Sequence, residues 1–399
     1  MSSGITEDAL RAEVEAWLAD NWTGLPAHHE SFGRDPRSEW LAKVRDGGWA
    51  TPRWDAEWHG RGLSNDQAKI VERAFAAVGA PGAGQDRSNL WANTALAHAT
   101  DSFKRTIVSQ LLAGEVGMCL LYSEPGAGSD LAAVRTRADK VEGGWRVTGQ
   151  KVWTSGAAVA DYGMLIARTD WDVPKHRGIS FFFLPMKQEG VEVRPLRQIT
   201  NESHFNEVFI TDAFVPEENL LGPLNGGWAV LQTALAYERS VMGDAARGPR
   251  SGAGGPKGDY SLLGLAQEAG RLDDPLVRQD VAQVIAWRVL NKLNTQRAKA
   301  DMAQGTSSPI MSLGKLAMSR ILHEEARVRT MLLGPESLLE GPDHPRAEDA
   351  NFLSLNAYFT SIGGGTDQIQ RNIIGERVLG LPKEPEVDRT IPFRDVRAG

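Results

Sequence analysis

The sequence predicts an α+β fold in which a helical domain, a β domain and a helical bundle follow one another along the chain. Three observations carry this prediction. Amphipathic helical runs dominate the first part, short β-rich segments between Gly and Pro turns fill the middle, and the helical period then returns. We expect the N-terminal helical domain at 1–118, the central β domain at 119–225 and the C-terminal helical bundle at 226–399.

The N-terminal domain is predicted from two helical runs that loops rich in Trp, Gly and Pro interrupt. The run LSNDQAKIVERAFAAVG is amphipathic, and Asn65 or Asp66 is the expected N-cap ahead of it. The run TDSFKRTIVSQLLAGE forms a second predicted helix. It ends near Gly114, because glycine accepts the left-handed conformation that often terminates a helix.

The central domain is predicted from strand-like segments. Glycine turns flank GGWRVTGQKVWTSGA, and the segments that follow are short and rich in β-formers: YGMLIARTD, GISFFFLPM, VEVRPLRQI and NEVFITDAFVP. Polar stretches or stretches with Pro and Gly separate them, which does not match βαβ units. The pattern therefore favours an antiparallel barrel or sandwich.

The C-terminal part contains a buried helix, GGWAVLQTALAYERSVMG, and three later helices. The first of the later helices has Pro275 near its first turn and stops at Gly305, and the shortest is ended by Gly380 and Pro382. Residues 247–259, which lie between, contain no large apolar residue and are expected to form a flexible connection.

Composition argues against several classes of function. The chain has 399 residues, a net charge of −7 and no basic stripe, so nucleic acid and anionic membranes are poor candidates as partners. It holds no run of about 18 apolar residues that would span a bilayer, and its start lacks the pattern of a secretion signal. The single cysteine, Cys119, fits a reducing cytoplasm, and no Cys or His pattern predicts a metal site.

One carboxylate stands out in the first helix of the C-terminal part. At helical spacing, Glu238 shares a stripe with four apolar residues, namely Trp228, Leu231, Leu235 and Met242. A carboxylate in such a stripe is costly unless it is paired, protonated or used in a reaction. The residues alone therefore leave two alternatives for Glu238, a base or a salt bridge inside the bundle.

Three segments carry further candidate site residues, each with a structural alternative. The glycine turn in CLLYSEPGAGSDLAAVRTRA exposes N–H groups that suit a phosphate or a polar ring edge, or it is only a turn. GQKVWTSGA has two interpretations. In the first, Trp153 lies against a planar ring of a ligand and Thr154 or Ser155 donates a hydrogen bond to that ring; in the second, Trp153 only packs inside the barrel. The three glycines before Thr366 suit close approach of a ligand, or Thr366 or Asp367 only caps a helix.

Taken together, these segments resemble the acyl-CoA dehydrogenase family over nearly the whole chain. LLYSEPGAGSDLAAVRTRA is similar to the family's Thr/Ser-Glu-Pro-Gly-x-Gly-Ser-Asp signature, and GQKVWTSGA is similar to its flavin-contacting Gly-x-Lys-x-Trp segment. NEVFITDAFVPEENLLG resembles the segment that ends the family's middle domain, and GGTDQIQRNIIGERVLGLP resembles its C-terminal signature. Four such matches in this order are highly specific.

The resemblance implies a C-terminal four-helix bundle and FAD bound without covalent attachment. In the implied reaction an acyl-CoA thioester loses an α-proton and a β-hydride, the hydride goes to the flavin, and an electron-transfer flavoprotein receives the electrons. Ser129 would lie near the FAD pyrophosphate and the pantetheine of the substrate. Carried over by position, the implied FAD contacts are Leu120, Tyr122, Ser123, Ser129, Trp153, Thr154, Ser155, Thr366 and Gln368.

The catalytic base departs from the common family pattern. Many members carry a glutamate immediately before the C-terminal Gly-Thr, where this chain has Gly364 ahead of Gly365 and Thr366. A minority carries its base in a Glu-Arg pair on the first bundle helix, and Glu238 and Arg239 match that pair. We therefore expect Glu238 to be the base and Arg239 to orient it, with Gly364 and Gly365 beside the substrate.

The glycines in place of the usual glutamate free volume, so we expect a bulky, branched or long acyl group, such as a polycyclic or steroid side chain. Two family segments that complete a partner's FAD site, Arg-x-x-Phe-Gly and Gln-x-x-Gly-Gly, are absent; QEAGRLDDPLVRQD and LLGPESLLEGPDHPRAED stand in their places. A hetero-oligomer with a sister subunit is therefore an alternative to a homo-tetramer or dimer. The alternative functions are an acyl-CoA oxidase, a flavin monooxygenase and a non-catalytic partner subunit.

Overall fold

The structure, a computed structural model, describes residues 5–24, 35, 37–245, 261–303, 310–386 and 388–397; for residues 238–245, 299, 302, 303 and 311 it describes the backbone alone. The larger unit comprises Met1–Gln198, Ser203–Asp244 and Val387–Gly399, and the smaller unit comprises Ile199–Glu202 and Ala245–Glu386. The expected connection at 247–259 and the helix stop at Gly305 lie outside the described residues. The domain boundaries given above stay predictions.

Within the described residues, six helices open the larger unit: α1 (Glu7–Asn21), α2 (Ser38–Asp46), α3 (Asn65–Ala77), α4 (Gln85–Ser88), α5 (Leu90–His98) and α6 (Asp101–Leu112). Ser64, and not Asn65 or Asp66, caps α3. Its hydroxyl accepts a hydrogen bond from the backbone N–H of Gln67, whose side chain accepts one from the backbone N–H of Ser64. This reciprocal pair satisfies two N–H groups at once, which neither Asn65 nor Asp66 does here.

Eight strands of the described residues form one sheet: β1 (Met118–Leu121), β2 (Arg137–Val141), β3 (Gly144–Ser155), β4 (Tyr162–Arg168), β5 (Ile179–Pro185), β6 (Val191–Leu196), β7 (Phe205–Pro216) and β8 (Leu220–Leu221). Their order is β6-β7-β3-β2-β4-β5-β8, and β1 pairs with β4. Most neighbours are antiparallel, as predicted, whereas β1–β4 and a single β2–β4 pair are parallel. Since β1 follows helix α6 and not a hairpin, the chain is free to enter the sheet in the direction of β4.

Both faces of the sheet centre are buried, which explains why β4 and β5 are almost continuously apolar. Met164 and Phe181 belong to a core cluster shared with the helices α5 and α6. Leu165 and Phe182, one residue further along each strand, belong to a second cluster shared with β3 and β7. Alternate residues of one strand thus fill two cores.

Helix α7 (Gly227–Ala245) starts against the sheet of the larger unit. Leu231 and Ala234 are buried in the same cluster as Phe181. A Cβ added at Gly227 would lie 2.5 Å from the carbonyl carbon of Ser180. Glycine therefore permits the helix to begin in direct contact with the backbone of β5, and any larger residue would push it away.

The smaller unit consists of α8 (Leu262–Glu268), α9 (Pro275–Ala303), α10 (Ile310–Leu333), α11 (Pro345–Ile362) and α12 (Asp367–Arg377). α9 begins at Pro275, where the sequence predicts it, and α10 packs against α8, α9, α11 and α12. The predicted α+β class is confirmed, with N-terminal helices, a central sheet and C-terminal helices. Among the described helices, none combines the length and apolar character that a bilayer crossing needs.

Candidate active site

Two of the three candidate segments meet in the larger unit. β1 carries Leu120 and leads into a loop that holds Ser123, and the end of β3 carries Trp153 and Ser155. The backbone N–H of Val152 donates a hydrogen bond of 3.0 Å to the carbonyl oxygen of Ser123. Because this bond joins the loop to the strand, two segments that are distant in sequence lie side by side.

Trp153 combines a strained backbone with an exposed ring. Its φ is 62°, in the left-handed region that bulky L-residues rarely adopt. The pairing of β3 with β7 shifts register between Lys151 and Thr154, and this bulge leaves Trp153 57% exposed, with its ring edge-on to Phe205. Strain of this kind costs about 1–3 kcal/mol and clusters at ligand sites.

The two candidate hydroxyl residues at the end of β3, Thr154 and Ser155, differ in burial. Thr154 is fully buried, and its Oγ1 has no hydrogen-bond partner in the described part of the chain. The side-chain amide of Asn206 donates a hydrogen bond of 3.0 Å to the Thr154 carbonyl oxygen, which fixes the backbone here. Ser155, one residue further on, is only half-buried. Of the two residues, Ser155 is therefore the more exposed, and the expected ring contacts of both stay predictions.

The expected contact residues in β1 and in the loop after it differ in how far they are buried. Tyr122 is buried, with its hydroxyl 3.6 Å from the Met164 sulfur and its ring edge-on to Phe181. Its ring belongs to the core, and the FAD contact that the resemblance implies for this residue stays a prediction. Leu120 is half-buried, and Ser129 is exposed after the glycine turn.

A buried ion pair that the sequence analysis missed lies between the two segments. The Lys151 ammonium is 2.8 Å from a Glu124 carboxylate oxygen and 3.0 Å from the Tyr122 carbonyl oxygen. The backbone N–H groups of Arg135 and Thr136 donate to the same carboxylate at 2.6 and 2.8 Å. The sequence does contain a sign of this pair: the first motif carries an acidic residue, Glu124, and the second carries a basic residue, Lys151.

The surroundings of the pair shift both pKa values. Burial acts to raise the pKa of the Glu124 carboxyl, but the Lys151 charge and the hydrogen bonds to the carboxylate outweigh it and hold that pKa below its usual range. Burial lowers the pKa of the Lys151 ammonium, and the Glu124 charge opposes this. The donors around the carboxylate fit its ionised form, so we assign the pair as charged.

A second buried lysine fixes the far end of the loop. The Lys175 ammonium lies 2.9 Å from a carboxylate oxygen of Asp130 and 3.2 Å from one of Asp388. Asp130 directly follows Ser129 in the sequence. The loop residue that the resemblance places near a pyrophosphate is therefore tied, through one lysine, to the C-terminal segment at 388–397.

The third candidate segment lies in the smaller unit. Gly364 and Gly365 have φ values of 65° and 89°, a conformation that favours glycine. The Thr366 hydroxyl caps α12 by accepting a hydrogen bond of 3.2 Å from the backbone N–H of Ile369, and Gln368 is exposed. The capping alternative is thus realised for Thr366, while the ligand contacts expected of this segment stay predictions.

A polar network holds the start of α12 in place. Asp367 accepts hydrogen bonds from the Lys315 ammonium at 3.1 Å and the Ser319 hydroxyl at 2.8 Å. Ser319 lies 2.8 Å from the hydroxyl of Ser361, which in turn lies 2.7 Å from a ring nitrogen of His323. In the described residues, no group of three or more His, Cys, Asp or Glu side chains could hold a metal ion.

The backbone of Glu238 and Arg239 belongs to α7, whereas their side chains lie outside the described residues. Along the predicted stripe, Leu231 is fully buried and Trp228 and Leu235 are half-buried. The apolar face is therefore present up to one turn before Glu238. Its role as a base stays a prediction.

Models of one family match along most of the chain: acyl-CoA dehydrogenase, N-terminal domain, at residues 5–115, the middle domain at 119–213 and the C-terminal domain at 225–379. Acyl-CoA dehydrogenase IpdE1 of Mycolicibacterium smegmatis is 33% identical, over 94% of this chain and 98% of its own length. Acyl-CoA dehydrogenase FadE34 of Mycobacterium tuberculosis is 35% identical over 87% of this chain, which spans only 47% of that relative. The solved Tcur3481-Tcur3483 steroid ACAD is 25% identical over 95% of this chain and 98% of its own, with a TM-score of 0.72.

Proposed function

Since the chain belongs to the acyl-CoA dehydrogenase family, we propose that it uses FAD to convert a bulky, branched or long acyl-CoA thioester to its trans-2-enoyl-CoA. The family makes the chain an oxidoreductase that dehydrogenates acyl-CoA. The cofactor, the base, the acyl group and the electron acceptor belong to the proposal.

The observation that carries the FAD proposal is the outward-facing Trp153 beside the Ser123 loop. An indole held outward by a bulge is a flat apolar surface on which a planar ring can stack. Half-buried Ser155 adds a hydroxyl next to it, and the glycine turn after Glu124 supplies N–H groups suited to a phosphate. These residues fit a flavin with a pyrophosphate tail. When bound, FAD would supply the acceptor for the hydride that leaves the β carbon.

We infer that Glu238 removes the α-proton of the substrate and that Arg239 orients this carboxylate. Support comes from Gly364, which has no side chain at the common base position of the family, and from the buried Leu231 two turns before Glu238. A carboxylate within an apolar stripe holds a proton more tightly, because desolvation disfavours its charged form. This property suits a base that takes a carbon-bound proton, and hydrogen bonds to the thioester carbonyl would acidify that proton further.

Two observations support a bulky acyl group. Gly364 places no side chain where many family members have a glutamate. The solved relative at 25% identity is named a steroid ACAD, which makes a steroid side-chain CoA ester the first substrate to test. A measured preference for short straight-chain acyl-CoA would contradict this part of the proposal.

We further propose that an electron-transfer flavoprotein accepts the electrons and that the chain assembles with a sister subunit. The absence of the Arg-x-x-Phe-Gly and Gln-x-x-Gly-Gly segments supports a mixed assembly, because a different subunit would then complete the FAD site. The name Tcur3481-Tcur3483 also joins two proteins. The same absence favours a second candidate function, a non-catalytic partner that stabilises a sister chain.

The test is to purify the full chain alone, record its visible flavin absorbance and mass, and titrate it with acyl-CoA esters. The panel contains a steroid side-chain ester, a branched ester and a short straight-chain ester. We expect a protein that is yellow alone or becomes yellow when a sister subunit completes the FAD site, and whose flavin is bleached most efficiently by the bulky esters. If this chain adds neither flavin nor ester-dependent bleaching to the sister subunit, the non-catalytic partner is supported instead. Reduced flavin that reacts rapidly with O₂ would indicate an oxidase.

A further inference from the structure

We propose that Lys151 and Glu124 are positioning residues, whose buried ion pair holds the Ser123 loop against the Trp153 bulge at the spacing that FAD binding requires. The Lys151 side chain is fully buried and that of Glu124 is only 9% exposed, so the pair acts from behind the exposed ring surface. The inference rests on the proposed FAD-dependent function and adds two residues to it.

The ion pair holds the loop through the residues on both sides of Ser123. The Lys151 ammonium binds the carbonyl oxygen of Tyr122, which precedes Ser123, and the side chain of Glu124, which follows it. The carbonyl oxygen of Ser123 itself accepts the hydrogen bond from Val152. Three consecutive loop residues are thus held by two consecutive residues of β3, and the backbone of Ser123 has little freedom left.

Glu124 also binds the residues immediately before β2. Its carboxylate accepts the backbone N–H groups of Arg135 and Thr136, and Thr136 lies directly against β3. A Cβ added at Gly149 would lie 2.7 Å from the Cα atom of Thr136, which shows how closely the two backbones approach. The carboxylate therefore joins the loop, the start of β2 and β3 at one point.

The pair also lies where the bulge begins. The register of β3 against β7 shifts after Lys151, and the next residues are Val152, bonded to the loop, and Trp153 at positive φ. With the Lys151 side chain fixed inward and Val152 fixed to the loop, the extra residue of the bulge is accommodated at Trp153. The ion pair thus fixes both segments proposed to contact FAD, the Ser123 loop and the Trp153 bulge.

A buried ion pair is weak support for stability, because the cost of removing two charges from water offsets their attraction. Removing one partner leaves a buried charge without a partner, whereas replacing both by neutral groups of similar shape restores the balance. Stability and positioning can therefore be separated by comparing single variants with a neutral double variant. Such supporting groups fix the geometry of the residues that touch a ligand.

The experiment uses the full chain with Lys151→Met, Glu124→Gln and the double variant that combines them. The matched control is the double variant Lys140→Met with Glu217→Gln, since Lys140 and Glu217 form an ion pair of the same unit that is 50% and 68% exposed. For each protein we would measure thermal unfolding without cofactor, FAD affinity, the visible flavin spectrum, and kcat and KM with an acyl-CoA that the wild type oxidises.

We expect both single variants to unfold at lower temperature than the wild type and the neutral double variant to recover. The double variant should nevertheless bind FAD about 10–100-fold more weakly, the range by which metal binding weakens when a group that orients the metal ligands is lost. Its bound flavin should show a shifted spectrum, and its kcat should fall more than its KM changes. The control should match the wild type in FAD affinity, flavin spectrum, kcat and KM; its thermal unfolding also reports the loss of the contact between Lys140 and the Trp145 ring.

A neutral double variant with wild-type FAD affinity and spectrum would overturn the proposal, because the pair would then serve stability alone. If the double variant does not fold, Glu124→Gln decides in its place. It keeps the shape of the side chain but breaks the ion pair, so wild-type FAD affinity and spectrum in Glu124→Gln would equally overturn the proposal. A folded wild type that binds no FAD, either alone or with a sister subunit, would instead refute the proposed function and, with it, this inference.

Discussion

The guanidinium carbon of Arg168 lies 3.7 Å from the centre of the Phe393 ring, and both residues are fully buried. Arg168 also donates hydrogen bonds to the carbonyl oxygens of Ala132 and Val134, at 2.6 and 3.1 Å. A charge buried so deeply requires partners of this kind. The ring therefore anchors the C-terminal segment at 388–397 to the part of the chain that follows the glycine turn.

Replacing Phe393 with alanine should lower the free energy of unfolding by about 3–5 kcal/mol, because it removes a fully buried aromatic side chain and leaves a cavity. Denaturant unfolding measures the loss. Arg397→Ala is the matched control, since Arg397 is an exposed residue of the same segment, and its effect should stay within about 0.5 kcal/mol. Equal effects of the two variants would show that the ring does not anchor the segment.

Trp153→Gly should leave the cofactor-free protein about as stable as the wild type, whereas Trp153→Ala should destabilise it. Glycine relieves a backbone strain of about 1–3 kcal/mol at positive φ. This gain offsets the lost contact with Phe205, worth about 0.5–1.5 kcal/mol, and the entropy cost of glycine, about 0.5–1 kcal/mol. Alanine loses the contact and keeps the strain.

Thermal unfolding of the cofactor-free variants gives the comparison, and FAD titration gives its functional counterpart. Both variants should bind FAD more weakly than the wild type, because the flat surface for the ring is gone. Trp153→Phe retains a flat ring and is the control that should keep most of the affinity. If the alanine variant proves as stable as the glycine variant, the backbone at Trp153 is not strained.

Acid should weaken the larger unit partly through Glu124. The folded-state pKa of this carboxyl lies below its ordinary value of 4.5, so its stabilising contribution is present above that value and is lost as the pH falls through the folded-state pKa. The loss of thermal stability below about pH 4.5 should therefore be shallower in Glu124→Gln than in the wild type. Glu218→Gln, which changes an exposed carboxyl, should follow the wild-type slope. A Glu124→Gln slope equal to that of the wild type would contradict the assignment of a charged pair.

The strands of the central sheet could be predicted because each is a short local pattern. The apolar runs of β4 and β5 correspond to predicted segments, since burial on both faces leaves a continuous apolar signature. The sequence predicts the cap of α3 one or two residues late, because Ser64, Asn65 and Asp66 are all good capping types. Only the reciprocal bond of Gln67 selects Ser64 among them.

The site was less predictable, because its geometry depends on contacts between distant segments. The alternation of inward and outward residues along β3 does not show which of Thr154 and Ser155 is the more exposed, because the bulge at Trp153 changes the alternation. No local sequence pattern predicts this bulge. The burial of Lys151 depends on Glu124, which lies in another motif, and a lysine in a strand is ordinarily exposed. The sequence motifs therefore predict the candidate segments, while the pairing of two of these segments is seen only in the structure.

Glu238→Gln should leave FAD bound yet slow the bleaching of the flavin by substrate about 10²–10⁴-fold, the range for losing a general base. The amide keeps the shape of the carboxylate but cannot accept the α-proton, so the loss should appear in kcat with little change in KM. Stopped-flow flavin absorbance after mixing with acyl-CoA measures the rate. Glu218→Gln, an exposed carboxylate of the larger unit, is the matched control and should bleach like the wild type. Bleaching of Glu238→Gln at the wild-type rate would assign proton removal to another group, on this chain or on a sister subunit.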